Sequence, residues 1–403
     1  MITENLLKID GFKGHGIHSK IKLKKLDLGV IYSDMSCTAA GVFTQNKACA
    51  APVKISKENI KNPIKAIIIN SGNANACTGT QGMADANQMC SELAKELKIS
   101  PEEILIASTG IIGKPLPMEN ISEGIQSIVK DISYDHFNLV PTAILTTDLY
   151  EKKCSNQITI DNCNIKINGM AKGSGMIHPN MATTLAFVTT NVNIKKTILQ
   201  NLLKEISDLT FNMISVDGDT STNDSLIVLS NNTGKNQIID SKDSPGYKLF
   251  KKALYDVIEA LAIKVVKDGE GATKLITAHV SDASSLEDAK KQAKSVITSN
   301  LVKAAFFGED VNWGRILCAL GYSETNFDSD KVTLKFKSGN QEILILDCGT
   351  PKTYDSKIAK EIMASDSIGI HISMKTGEYS AKAWGCDLSY DYVKINACYE
   401  DAN

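Results

Sequence analysis

The runs Ala66–Asn70 (AIIIN), Ile104–Ser108 (ILIAS) and Leu185–Thr189 (LAFVT) have almost no polar residues and are bounded by turn-forming residues. A run that short and that apolar fits a strand covered on both faces better than a helix. A fourth such run, Ser225–Ser230, follows the polar loop DGDTSTND. Between these runs the period changes. From Tyr247 to Lys267, Leu249, Phe250, Ala253, Leu254, Val257, Ile258, Leu261, Ala262 and Val265 recur at steps of three and four, the mark of a helix with one buried face, which Gly269 ends. Helical patterns also cover Ala84–Leu97, with Pro101 as boundary, and Ile194–Ile206. Another helix starts in SSLEDAKKQAKSVITSNLVKAAFFG, where Glu287 and Asp288 make an acidic first turn after Ser285. The polar stretch SNNTGKNQIIDSKDSPGYK reads as a surface excursion. Beyond Ser284, a helix and then the strands Val332–Phe336 and Glu342–Leu346 suggest a smaller C-terminal α/β unit. The class is α/β, with more than one domain.

A length of 403 residues supports two or three domains with a core that needs no staples. A net charge of -2 speaks against a nucleic-acid or anionic-membrane surface, which needs excess Lys and Arg. No signal peptide is read at the N-terminus, and no apolar run is long enough to span a membrane. The ten cysteines are scattered without a CxxC pair, so reduced thiols in a cytoplasmic protein are the expectation, with no structural zinc. Small polar metabolites are the partners that remain.

Two glycine-rich motifs invite larger claims. Gly173 and Gly175 form a GxG, but His178 stands where a dinucleotide fingerprint needs its third glycine, and there is no GxxxxGK[ST]. These glycines fit close backbone approach instead. His15 and His18 have an HxxH spacing inside a glycine-rich loop, which does not set two imidazoles on one helical face for a metal. His178, before Pro179, is a structural loop residue or the edge of a site.

The segment ILIASTGIIGKPLP ends a buried run at Ser108-Thr109-Gly110, where a hydroxyl and backbone N–H groups meet at a turn. Such a turn can hold an oxyanion. Further on, KGSGMIHPNMATTLAFVTT places Thr183 and Thr184 at the mouth of a strand. A threonine hydroxyl needs a base to act as a nucleophile. Cutting the Ala182–Thr183 bond would free an α-amine with a pKa of about 8 beside the Thr183 hydroxyl. The hydroxyl can itself make the cut, by attacking the Ala182 carbonyl in an N-to-O acyl shift that water resolves. One residue then supplies nucleophile and base.

NSGNANACTG, ASTGIIGKPLP, AILTTD, MAKGSGMIHPNMATTLAFVTT, VDGDTSTND, KDGEGATK, GEDVNWGRI and AWGCDLSYDYVKINACY, in this order, resemble the ornithine acetyltransferase family, glutamate N-acetyltransferases of arginine biosynthesis. The resemblance covers nearly the whole chain. It implies a layered α/β sandwich of the self-cleaving N-terminal-nucleophile type. An α chain of residues 1–182 would then be followed by a β chain whose residues 183–284 complete the main domain and whose residues 285–403 form the smaller one. It implies cleavage between Ala182 and Thr183, acetyl transfer from N-acetylornithine to glutamate through acetyl-Thr183, and an α2β2 heterotetramer. Thr109 and Gly110 correspond to the oxyanion hole. Thr146 or Thr147, Lys172, Glu270 and Asn396 correspond to substrate contacts, and no metal or organic cofactor is implied. Acetyl-CoA is a co-substrate in bifunctional members of such a family and not in monofunctional ones. Lys172 suits an α-carboxylate and Glu270 the ornithine ammonium. One departure stands out: similar chains end in a Thr or Ser shortly after the C-terminal tyrosine, whereas this one continues YEDAN. Asp401, Asn403 or neither closes the pocket. The rival readings are an amidase or aminopeptidase of the same nucleophile type, which would give its acyl group to water, and an uncleaved amino-acid-binding protein.

Overall fold

The structure is a computed structural model that describes residues 2–178 and 184–397. Ala182, Thr183, Asp401 and Asn403 lie outside the described residues. The first sheet runs in the order Ile104–Ile111, Ile64–Asn73, Leu28–Phe43, Ser225–Ser230, Leu185–Thr190, Cys163–Lys172, Lys152–Ile160, with Phe12–Ile17 paired to Leu28–Phe43 beside that path. The long strand Leu28–Phe43 joins its two halves. Its first part pairs with Ile64–Asn73 and its last part with Ser225–Ser230, across an irregularity between Tyr32 and Cys37 where Asp34, Met35 and Ser36 are exposed.

The apolar runs are strands buried on both faces. Ile67 and Ile69 pack on one face with Leu105, Phe187 and Leu229. Ala66 and Ile68 pack on the other, against Met89, Leu93, Ile121 and Ile125 of the helices Gly79–Leu97 and Met118–Lys130. The two-residue side-chain period of a strand puts successive isoleucines on opposite faces, so a sheet sandwiched this way takes apolar residues at every position.

The helices Lys196–Leu209 and Tyr247–Lys267 contribute to a core that also holds Ile276, Ala278 and Val280 of a second sheet. One continuous core therefore joins the layers. The second sheet runs Thr350–Pro351, Gln341–Asp347, Thr333–Ser338, Ser367–Ser373, Leu275–Ala283, Tyr379–Cys386, Ile214–Ser215. Two of its strands, Ile214–Ser215 and Leu275–Ala283, come before Ser284, where the sequence pattern places the start of the smaller unit.

Two details differ from the sequence pattern. The helix expected from SSLEDAKK onward is two helices, Leu286–Thr298 and Asn300–Phe307, because Ser299 leaves helical geometry and its hydroxyl accepts from Val302 N–H at 3.4 Å. The stretch SNNTGKNQIIDSKDSPGYK is no simple surface loop. Asn231, Asn236 and Ile239 are buried in it, and Asn236 Oδ1 accepts Asn193 N–H at 2.8 Å. Among the described residues no helix is long and apolar enough to cross a membrane.

Candidate active site

Several strands of the first sheet end at one place. Lys172 closes Cys163–Lys172 and pairs with Leu185, which opens the next strand; Leu185 pairs in turn with Ser225, which opens a third. The parallel strands Ile64–Asn73 and Ile104–Ile111 bring Gly72 opposite Gly110. A cavity of about 310 Å³ lies there, and Thr109, Gly110, Thr146, Thr147, Lys172, Glu270 and Asn396 all line it. Ser108 does not: its hydroxyl is buried and donates to Asn70 Oδ1 at 2.5 Å.

Ser108, Thr109 and Gly110 form no turn: the strand runs on to Ile111, with these three residues paired to Asn70, Ser71 and Gly72 of Ile64–Asn73. Asn223 Nδ2 donates to the carbonyls of Ala74 (2.6 Å) and Ser108 (2.8 Å), tying the two strand ends together. Gly110 has φ +134°, and a Cβ there would lie 2.2 Å from the carbonyl carbon of Gly72. Only glycine fits. Gly110→Ala should separate the two strand ends and lower turnover on the order of 10²-fold, the usual effect of losing one oxyanion donor. A turnover assay beside a thermal melt checks this.

Lys172 is buried, and its Nζ donates to Thr109 Oγ1 at 3.1 Å. It makes no salt bridge among the described residues. Burial lowers its pKa, while Asp148, Asp224 and Glu270 oppose that shift. Glu270 Oε2 accepts from Asn396 Nδ2 at 2.9 Å, and the Glu270 backbone N–H donates to the Ser174 carbonyl at 3.0 Å. A Cβ on Gly175 would sit 2.3 Å from the Glu270 carboxylate, so the second glycine of the GxG makes room for Glu270. The cavity thus presents a cation, a carboxylate, hydroxyls and an amide to a small zwitterion.

Behind this wall lies a network that sequence reasoning missed. Lys152 is fully buried, and its Nζ sits 2.5 Å from both Asp148 Oδ1 and Asp268 Oδ2. Asp148 also accepts from Gly173 N–H (2.7 Å) and Thr146 N–H (2.9 Å), and Asp268 accepts from Leu149 N–H (3.1 Å). Burial alone would raise the Asp148 pKa, but Lys172 and Lys152 outweigh it and hold the group well below the usual carboxylate range. For Asp268, burial prevails over Lys152 and its pKa is raised. Asp148 and Lys152 are four residues apart in TTDLYEK, but that spacing signals contact only on a helix, and here they lie in a loop and at the head of a strand.

Thr184 follows the expected nucleophile, lines the cavity and is buried at φ +87°, a rare conformation for a β-branched residue. Its N–H donates to Asp224 Oδ1 at 2.8 Å. Upstream, the N–H groups of Met176 and Ile177 donate to the Asp217 carboxylate at 2.7 and 2.9 Å, and Thr220 Oγ1 donates to the His178 carbonyl at 2.7 Å. His178 is structural. Its Nδ1 meets Ser215 Oγ at 3.1 Å, and burial, aided by Lys294, pushes its pKa down to about 4. His15 stacks on His136, whereas His18 meets the Lys25 carbonyl, so the HxxH pair splits.

Fold and cavity together define an enzyme for small polar substrates. Residues 13–401 match the ArgJ family, and the chain belongs to that family, whose members are acyltransferases. It is 49% identical over 399 residues to the arginine biosynthesis bifunctional protein ArgJ 1 of Clostridium acetobutylicum, an alignment spanning 98% of each chain. It is 47% identical over 392 residues to the arginine biosynthesis bifunctional protein ArgJ of Thermotoga neapolitana, covering 96% of this chain and 98% of that one. The crystal structure of the arginine biosynthesis bifunctional protein argJ from Bacillus halodurans aligns with a TM-score of 0.50 at 40% identity, over 52% of this chain and 97% of that one. The resemblance read from the motifs is borne out, and the amidase alternative is not favoured.

Proposed function

We propose that the chain cuts itself between Ala182 and Thr183 and then moves an acetyl group from N-acetylornithine to glutamate through an ester on Thr183. In the first half-reaction the Thr183 hydroxyl attacks the acetyl carbonyl while its freed α-amine takes the proton. The Thr109 hydroxyl and Gly110 N–H stabilise the tetrahedral oxyanion, and ornithine leaves. Glutamate then attacks the ester and leaves as N-acetylglutamate. Lys172 pairs with the α-carboxylate common to both amino acids, Glu270 takes the ornithine ammonium, and Thr146, Thr147 and Asn396 line the remaining contacts.

One observation carries this reading: the cavity that opens at Thr184, the residue after the nucleophile, is lined by Thr109 and Gly110 at a strand end and by a cation and a carboxylate, Lys172 and Glu270. The Bacillus halodurans chain, nearly all of which aligns with 52% of these 403 residues, or about 210, supports a processed two-chain enzyme. An α2β2 assembly rests on the family resemblance. No metal or organic cofactor takes part in this scheme. The word bifunctional in both relatives' names favours acetyl-CoA as a second acetyl donor.

The test is the fate of the acetyl group. N-acetylornithine incubated with glutamate should yield N-acetylglutamate and ornithine; acetate released at a rate indifferent to glutamate would overturn the transferase reading. Thr184→Ala should still be cut, giving two bands on a denaturing gel. A single full-length band for that variant would move the nucleophile to Thr184.

A further inference from the structure

Lys172 has a second task that its place in the substrate pocket hides. Its ammonium carries three N–H donors and no acceptor, so in the 3.1 Å contact with Thr109 the threonine oxygen must be the acceptor. The Thr109 hydrogen is then turned away from Lys172. Thr109 Oγ1 donates to no partner among the described residues, and the residue lines the cavity, so that hydrogen is left to point at whatever the cavity holds. The geometry points to Lys172 as the positioning residue of the oxyanion hole, fixing the Thr109 hydroxyl as a donor, in addition to any bond it makes to a substrate carboxylate. This inference rests on the acyl-transfer reading given above.

The surroundings suit a cation held for that purpose. Lys172 ends a strand, and the next N–H, of Gly173, is fastened to Asp148 at 2.7 Å, so the root of the side chain is fixed. The charged groups facing its ammonium come from five segments. Asp148 stands in the TTD loop, Lys152 at the head of the next strand, Asp224 before Ser225–Ser230 and Glu270 after the long helix, while Lys22 reaches the Leu145 carbonyl from the N-terminal loop at 2.7 Å. Burial lowers the Lys172 pKa, and the three carboxylates, set against two ammoniums, oppose that shift. Asp148 is the most strongly coupled of them, and Lys152 holds it in turn. A bound amino-acid carboxylate can use the other Lys172 donors without taking the one given to Thr109.

A merely substrate-binding lysine and an oxyanion-positioning lysine differ toward an acyl donor that has no carboxylate. With para-nitrophenyl acetate, the Thr183 oxygen bonds to the acyl carbon, the ester C–O bond breaks, nitrophenolate leaves with the electron pair, and the hydroxyl proton passes to the Thr183 α-amine. The burst of nitrophenolate reads this step. Lys172→Met should slow the burst about tenfold or more, Thr109→Val on the order of 10²-fold, and the double variant no more than Thr109→Val alone. A Lys172→Met burst equal to wild type, or losses that multiply in the double variant, would overturn the inference.

If Lys172→Met folds but is cut too slowly to give mature enzyme for the burst assay, the rate of self-cleavage takes the place of the burst, because that step also develops an oxyanion without a substrate carboxylate. The same pattern across the three variants is expected. If it does not fold, the pH profile of the burst decides between wild type and Thr109→Val. The wild-type rate should fall on the alkaline side as Lys172 loses its proton, and the variant should show no such limb; identical profiles would contradict the coupling. Failure of the acyl-transfer reading itself looks different, since wild type would then give no burst and no acetylated Thr183.

Discussion

Thr183→Ala leaves the chain at its full 403 residues and abolishes acetyl transfer, with a loss on the order of 10⁶-fold, as when a hydrolase loses its nucleophile. The neighbouring hydroxyl cannot take over. Thr184 is held at φ +87° with its N–H on Asp224, its Oγ1 is buried with no partner among the described residues, and its nitrogen stays in a peptide bond, so no α-amine is there to act as base. Thr183→Ser keeps the hydroxyl and should still be cut and retain activity. A denaturing gel and a transfer assay on the two variants separate a chemical loss from a folding loss.

The second large effect is on stability. Lys152→Met removes the cation shared by Asp148 and Asp268 and leaves two buried carboxylates facing each other, a change that typically costs about 3–5 kcal/mol. The sign of its pH dependence follows from the shifts. The Asp148 pKa is lowered in the folded protein, so its contribution is present above the ordinary carboxylate pKa and is lost as pH falls toward the folded value. The Asp268 pKa is raised, so its contribution runs the other way and fades as pH rises. In the variant, protonating Asp148 relieves the penalty. The gap in melting temperature between wild type and Lys152→Met should therefore be widest near neutral pH and shrink on acidification. A gap that widens toward acid pH would mean that Lys152 does not neutralise Asp148.

How much of this could be read from the chain depends on the range of the interactions. The runs AIIIN and ILIAS specify strands because an apolar residue at every position has no other stable place, and Tyr247–Lys267 specifies its helix because one face carries the whole pattern. Leu249 is the exception there: it is half-exposed, on the side away from the core. The long strand Leu28–Phe43 was not legible, since its SDMSC segment breaks the alternation where the strand bends between two partners.

At the site, hydroxyls and glycines announce themselves by local motif. Lys152 does not. In EKK it looks like one more solvated charge, and its burial depends on Asp268, 116 residues further along the chain. The role of Gly175 was equally hidden, because the space it leaves belongs to Glu270. Periodicity within one element is written locally; a buried ion pair is written only in the fold.

Thr183 is the residue proposed to carry the acetyl group between two amino acids. Intact-mass analysis of the protein after brief exposure to N-acetylornithine alone tests it directly. The expected result is a C-terminal fragment of 221 residues beginning at Thr183, heavier by one acetyl group, which disappears when glutamate is added as N-acetylglutamate forms. A full-length unacetylated chain, or an acetyl group found on another residue, would contradict it.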